Sequence, residues 1–268
     1  RVNVNPAPSA CSHDFASILP PILETHDNCT MNFLCTDTST DAMSISINRG
    51  DEHFAFEAVG APKSSDLIIS HCLEGLQTLG LAWSDLSALV YNQGPGSFTG
   101  LRTSCAVLQG FSLVHGLPCL GFSSLLVLAQ QALAKAPHAE RFLCVLDARM
   151  GEIYWAAYEW LDGNWVLHIE PRVGDPNSIE LPLAWQEQDA SEVWWVGHTH
   201  LESLSNLQKA HPCLHLNPHA SGLTALAKLH GELGPKATWA HSGAAVPLYV
   251  RNQVAQTTAE RQKAQSLS

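Results

Sequence analysis

Two aspartates, each closing an apolar run on a polar turn, are the residues of this chain best placed for chemistry. Asp37 opens Asp37-Thr38-Ser39-Thr40 one residue after Asn32–Cys35, and Asp147 opens Asp147-Ala148-Arg149-Met150-Gly151-Glu152 after Phe142–Leu146. Paired carboxylates could hold Mg²⁺ with a nucleotide. Each could equally shape its own turn, because Asp, Ser and Thr side chains bond nearby backbone N–H groups. Between them lies Tyr91-Asn92-Gln93-Gly94-Pro95-Gly96-Ser97-Phe98-Thr99-Gly100-Leu101-Arg102. Gly94, Gly96 and Gly100 with Pro95 make a tight turn from strand to helix, and such a turn leaves amide N–H groups for an anion or a carbonyl. A purely structural turn is the other reading. No Gly-Lys-Ser/Thr follows, so this is not a P-loop. Ser97 and Thr99 supply hydroxyls, but no local histidine accompanies them and Gly-x-Ser-x-Gly is absent. Arg102 and Arg149 stand beside the two turns, suited to a salt bridge or to phosphate or partner contact.

Metal chemistry has weaker support. The chain holds 14 histidines and eight cysteines, with no C-x-x-C pair. Most cysteines lie in apolar runs, where a thiol acts as a small hydrophobe, and this points to a reducing compartment. His211 and His215 have helical spacing, but Pro212 stands between them; His198 and His200 have no paired carboxylate or thiolate pattern. No metal ligand is assigned. The 268 residues carry a net charge of −11 and no Lys/Arg run of nucleic-acid type, so tight direct contact with RNA or DNA is not expected. No apolar run reaches the roughly 18–20 residues of a membrane span, and no signal-peptide pattern opens the chain.

The elements that position these turns follow from periodicity. Asn32–Cys35, Ala42–Asn48 and His53–Val59 read as a meander of three strands. A helix is predicted over Asp66–Leu79, a strand over Ala88–Tyr91, and a helix over Leu101–His115. Both helices are apolar on more than one side, which fits either simple burial or an interaction surface beside the core. A strand at Pro118–Phe122 and a helix at Leu125–Ala136 follow. The opening device then recurs as strand, Asp147 turn, strand Ile153–Glu159, turn, strand Trp165–Ile169. The echo predicts two similar halves with their Asp turns facing one cleft. Later, helices are expected near Leu183–Asp189, Leu201–Ala210 and Ser221–Gly231, and short strands at Glu192–Val196 and Cys213–Leu216. Residues 1–30, with Pro-rich stretches and no periodicity, read as a poorly ordered extension.

Five motifs occur in a fixed order: Cys35–Thr40, Gly94–Arg102, Gly121-Phe122-Ser123-Ser124-Leu125, Asp147–Tyr154, and Pro247-Leu248-Tyr249-Val250-Arg251-Asn252. The series resembles the bacterial TsaB family of the tRNA threonylcarbamoyladenosine machinery, from Met31 to about Asn252. The resemblance implies an α/β fold of the actin/Hsp70/sugar-kinase-like (ASKHA) type with two related domains. These would be residues 31–136, completed by a segment near 238–256, and residues 137–237, with a frayed tail at 257–268. It implies a cytoplasmic, non-catalytic platform that pairs with a catalytic paralogue, TsaD, and works with the ATPase TsaE. That machinery transfers a threonylcarbamoyl group to N6 of adenosine 37 in tRNAs reading ANN codons. ATP or ADP and metal are then expected on the partner subunits, none on this chain, with tRNA met only indirectly and a homodimer formed when the chain is alone. The family builds its pairing surface from first-domain helices, which assigns Leu67, Ile68, Cys105, Leu108 and Phe111 to it. Where family members carry His-Ser or His-Thr before the first helix, this chain reads Lys63-Ser64-Ser65. The alternatives are an active ATPase or small-molecule kinase of the same fold, a peptidase, and a self-associating structural protein.

Overall fold

A computed structural model describes residues 31–60, 65–186, 192–198, 211–232 and 245–250. The 1–30 extension, the Leu201–Ala210 helix and the 257–268 tail lie outside these residues.

The first sheet is built from β1 (Phe33–Asp37), β2 (Ala42–Arg49), β3 (Glu52–Val59), β4 (Ala88–Gly94) and β5 (Cys119–Ser123), in the order β3-β2-β1-β4-β5. The meander β1-β2-β3 is antiparallel, and β4 and β5 add in parallel. The second sheet repeats the plan. It uses β6 (Arg141–Arg149), β7 (Glu152–Leu161), β8 (Asn164–Gly174), β9 (Val193–His198) and β10 (Cys213–Leu214), in the order β10-β9-β6-β7-β8. Its hairpins are antiparallel, and β9 and β10 add in parallel. The two halves therefore match strand for strand, as the sequence echo predicts. The β8 strand runs five residues past the expected Ile169, through Pro171. A proline is tolerated there because β8 is an edge strand.

Helix α1 (Ser65–Thr78) ends at Gly80, whose φ of 61° favours glycine. Helix α2 (Phe98–His115) begins three residues before the predicted Leu101, because Ser97 Oγ accepts from the Gly100 amide and caps it. Gly116, at φ 69°, closes it. Both helices cover one face of the first sheet. Ile68, Cys72 and Leu76 of α1 and Cys105 and Leu108 of α2 join Leu34, Ile45, Ile47 and Leu89 in one core. Side chains of this size each contribute about 1.5–3 kcal/mol on full burial.

Two further helices lie between the sheets. Helix α3 (Ser124–Lys135) follows β5 in the chain yet packs Leu125, Leu128, Ala129 and Ala132 on Phe142, Cys144 and Tyr158 of the second sheet. Helix α5 (Ala220–Glu232) follows β10 yet packs Leu223, Leu226 and Ala227 on Phe33, Cys35 and Val90 of the first. The two cross where a Cβ at Gly222 would meet Val127 and Gln131 of α3. Each half thus lends a helix to the other, which ties the sheets into one body. The far face of the second sheet is covered by short pieces, among them the single turn α4 (Leu183–Gln186) with its buried Trp185.

Candidate functional site

The Asp37 turn is folded inward. Asp37 is 1% exposed. Its Oδ1 accepts from the Ser39 amide at 2.8 Å and from Ser39 Oγ at 2.7 Å, and its Oδ2 accepts from Asn92 Nδ2 at 2.7 Å. Burial pushes the carboxyl up from its usual range, while these donors pull it back. Asn92 extends the network. Its Oδ1 takes the Gly94 amide at 2.9 Å and lies 2.6 Å from Ser124 Oγ, which is also 2.7 Å from the Pro95 carbonyl. Thr38 Oγ1 donates to the Gly100 carbonyl at 2.8 Å.

The glycine turn is locked onto this network. The Gly94-Pro95 peptide is cis. The Ser97 amide donates to the Ser39 carbonyl at 2.6 Å, and a Cβ at Gly96 would run into that carbonyl. Close backbone approach is therefore the reason for glycine at 96. The amides of Gly94, Ser97 and Gly100 are taken by Asn92 Oδ1, the Ser39 carbonyl and Ser97 Oγ. These turn amides hold acceptors of the chain itself.

The Asp147 turn is open by contrast. The Asp147 side chain is 32% exposed, and its Oδ1 accepts from the Arg149 amide at 2.7 Å. Arg149 and Met150 both have positive φ, 65° and 57°, ahead of Gly151 at 78°. Non-glycine residues rarely adopt that region. Met150 is 81% exposed. The Arg149 guanidinium lies 3.7 Å from both Asp147 Oδ2 and Asp41 Oδ1. Since Asp41 follows the first turn, the two turns do meet at one cleft.

A pocket of 170 Å³ occupies that cleft. Pro95, Gly96, Phe98 and Leu101 form one wall, Ala148 and Tyr154 the other, and residues 248–250 close it. The closing segment is strapped to the first half. The Leu248 amide donates to the Gln93 carbonyl at 2.6 Å, the Val246 amide to Tyr91 Oη at 3.1 Å, and Gln109 Nε2 to the Ala245 carbonyl at 2.7 Å. Arg102 Nε donates to Tyr249 Oη at 3.0 Å, and its guanidinium lies 3.7 Å above the Phe98 ring.

Sequence reasoning placed Asn92, Ser124 and Tyr249 inside motifs without giving them a role, and missed Asp41. A polar residue closing the apolar run Ala88–Tyr91 was the available signal for Asn92; the other three are set by chain crossings. The helix residues assigned to a pairing surface divide differently from expectation. Ile68, Cys105 and Leu108 are core side chains, at most 3% exposed, while Leu67 and Phe111 are half-buried against that core. Three of the five are therefore spent on the chain's own sheet, since each helix turns that side toward it. The exposed large apolar residues of the same helices are Leu73, Phe98, Leu113 and Val114. Burial pushes the Cys35 and Cys105 thiols up to about 12, which leaves no thiolate for chemistry there. Among the described residues, no group of three His, Cys, Asp or Glu could hold a metal ion, and no helix is long and apolar enough to cross a membrane.

Two like sheets exchanging helices, with hairpin turns meeting at a cleft, define an α/β protein of the ASKHA class with two related domains. The family of TsaD, tRNA N6-adenosine threonylcarbamoyltransferase, matches residues 60–258, and the chain belongs to that family. Within it the chain is similar to tRNA threonylcarbamoyladenosine biosynthesis protein TsaB of Escherichia coli, 40% identical over 142 residues, or 52% of this chain and 60% of that protein. The TsaB of Haemophilus influenzae is 32% identical, over 47% of this chain and 53% of its own length. The chain thus spans three-fifths or less of these curated relatives. Two solved structures align throughout their length. YeaZ from Pseudomonas aeruginosa is 27% identical with a TM-score of 0.69 over 82% of this chain. A protein with similarity to peptidase YeaZ, from the same organism, is 28% identical with a TM-score of 0.71 over 83%.

Proposed function

We propose that this chain is a non-catalytic platform subunit in tRNA threonylcarbamoyladenosine synthesis. It pairs with a TsaD-type catalytic paralogue, works with the ATPase TsaE, and so supports transfer of a threonylcarbamoyl group to N6 of adenosine 37 in tRNAs reading ANN codons. The family match and the TsaB relatives support the pathway. The observation that carries the platform role is the state of Asp37. Both carboxylate oxygens are engaged by Ser39 and Asn92, inside a network that also engages the glycine turn. A carboxylate that held Mg²⁺ for a nucleotide would need oxygens open to the ion. The pairing surface is the outer side of α1 and α2, where Leu73, Leu113 and Val114 are exposed. Nucleotide and metal then belong to the partner subunits, tRNA is met through them, and two copies pair by the same face when no partner is present. The setting is the cytoplasm.

Co-purification of the full chain with the TsaD-type paralogue of the same source, read by light scattering, tests the proposal. A one-to-one complex that modifies tRNA once all components are present is the expected result. Homodimer or monomer alone, beside a folded and active paralogue, rejects it. ATP turnover by the isolated chain would favour the kinase-like alternative, which the paired Asp turns otherwise suggest.

A further inference from the structure

We infer that the docking face of α2 continues past the helix into an aromatic socket with Arg102 at its rim, which receives an apolar side chain next to a carboxylate on the partner. The inference rests on the platform reading and deepens it. Arg102 and Leu113 lie about three helical turns apart, roughly 16 Å, which puts both on one face of α2. Arg102, Ala106 and Leu113 are all exposed. At the Leu113 end the face is aliphatic. At the Arg102 end it meets Phe98, 46% exposed, and Tyr249, 50% exposed, whose rings stand 6.0 Å apart. Arg102 lies over the Phe98 ring and donates Nε to the Tyr249 hydroxyl. These contacts fix the guanidinium plane, and the exposed side chain can present a further N–H edge outward. Exposed Phe, Tyr and Arg held rigidly together match the composition of residues that dominate binding energy.

The socket has depth as well as a rim. Phe98 and Tyr249 both line the 170 Å³ pocket, together with the buried Leu101 and the half-buried Tyr154. An apolar side chain fits such a lining. The guanidinium selects an anion beside it, because its planar fork pairs with a carboxylate. In a chain of net charge −11, a fixed cation on the docking face also orients an acidic patch of the partner. Tyr249 makes the C-terminal segment a part of this surface, brought to α2 by the Gln109 and Tyr91 contacts with Ala245 and Val246.

Calorimetric titration of the full chain into the TsaD-type paralogue tests this, with thermal unfolding of each variant as the folding control. Arg102→Glu should weaken binding at least about tenfold and reduce its salt dependence, and Arg102→Gln should weaken it by a smaller factor. Phe98→Ala should act in the same direction. Leu113→Asp, at the other end of the face, reads the platform proposal separately. Loss of binding with Leu113→Asp but affinity within about twofold of wild type for both Arg102 variants would confine docking to the helices and overturn the socket. Absence of any wild-type complex rejects both readings. If ATP raises the unfolding temperature of the free chain and Arg102→Glu removes that shift, the socket is a nucleotide pocket and the inference falls.

Discussion

The Asp37 and Asp147 turns occupy equivalent places in two matching halves, yet one is sealed and the other is open. Asp37 is 1% exposed and all its bonds run inward, to Ser39 and Asn92. The Asp147 side chain is 32% exposed and, among the described residues, holds the amide of its own turn and, more loosely, Arg149. The difference has a structural origin. Beside Asp37, β4 delivers Asn92 and the glycine turn, so the carboxylate has donors from a second strand. Among the described residues, the Asp147 carboxylate bonds within its own hairpin, which twists through two left-handed residues, Arg149 and Met150. A repeated device can thus serve as an interior clamp in one half and as a surface projection in the other.

The comparison can be broken most directly at Asp37. Asp37→Ala should cost about 3 kcal/mol in urea unfolding, because buried donors on Ser39 and Asn92 lose their acceptor. Asp147→Ala should cost under about 1 kcal/mol, and equal losses would erase the distinction. Gly96→Ala should follow at about 2–3 kcal/mol, since its Cβ meets the Ser39 carbonyl, whereas Gly151→Ala meets no atom and should cost about 1 kcal/mol for its positive φ alone. Met150→Asn should stabilise the chain by a few tenths to about 1 kcal/mol, because asparagine tolerates the left-handed region better than methionine. Destabilisation at Met150 would mean that its side chain holds the turn. Arg149→Ala should move stability by less than about 1 kcal/mol, as its ion pairs are exposed.

A pH series sharpens the same contrast. Burial raises the Asp37 carboxyl above its unfolded value. A carboxyl shifted upward contributes its stability in full below the unfolded value, about 4, and loses it as pH rises through the folded one. The stability gap between wild type and Asp37→Asn should therefore narrow as pH rises above about 4. A gap that widens instead would mean that the Ser39 and Asn92 donors outweigh burial.

Much of this architecture was legible in the residues. The polar turns, the alternating strands and the helix stops at Gly80 and Gly116 are local signals, and they locate the repeat. The glycine turn was legible as a tight turn with amides for an anion or a carbonyl, but the acceptor was not, because the Ser39 carbonyl lies far away in the chain. Three of the five residues assigned to pairing are core side chains for a related reason. Periodicity reports that a helix is apolar on several sides, but it does not say which side meets the sheet. The sheet took Ile68, Cys105 and Leu108 and left Leu73, Leu113 and Val114 outside.

The sequence by itself determined the order of elements, the duplication and the family motifs, since these depend on short-range periodicity and turn chemistry. Only the tertiary structure decided that α3 and α5 cross over to each other's sheets, that Asn92 closes on Asp37, and that Tyr249 reaches Arg102. Those pairings join residues 55 and 147 positions apart in the last two cases. Packing and desolvation select such contacts only once the sheets are in place, and no local pattern encodes them.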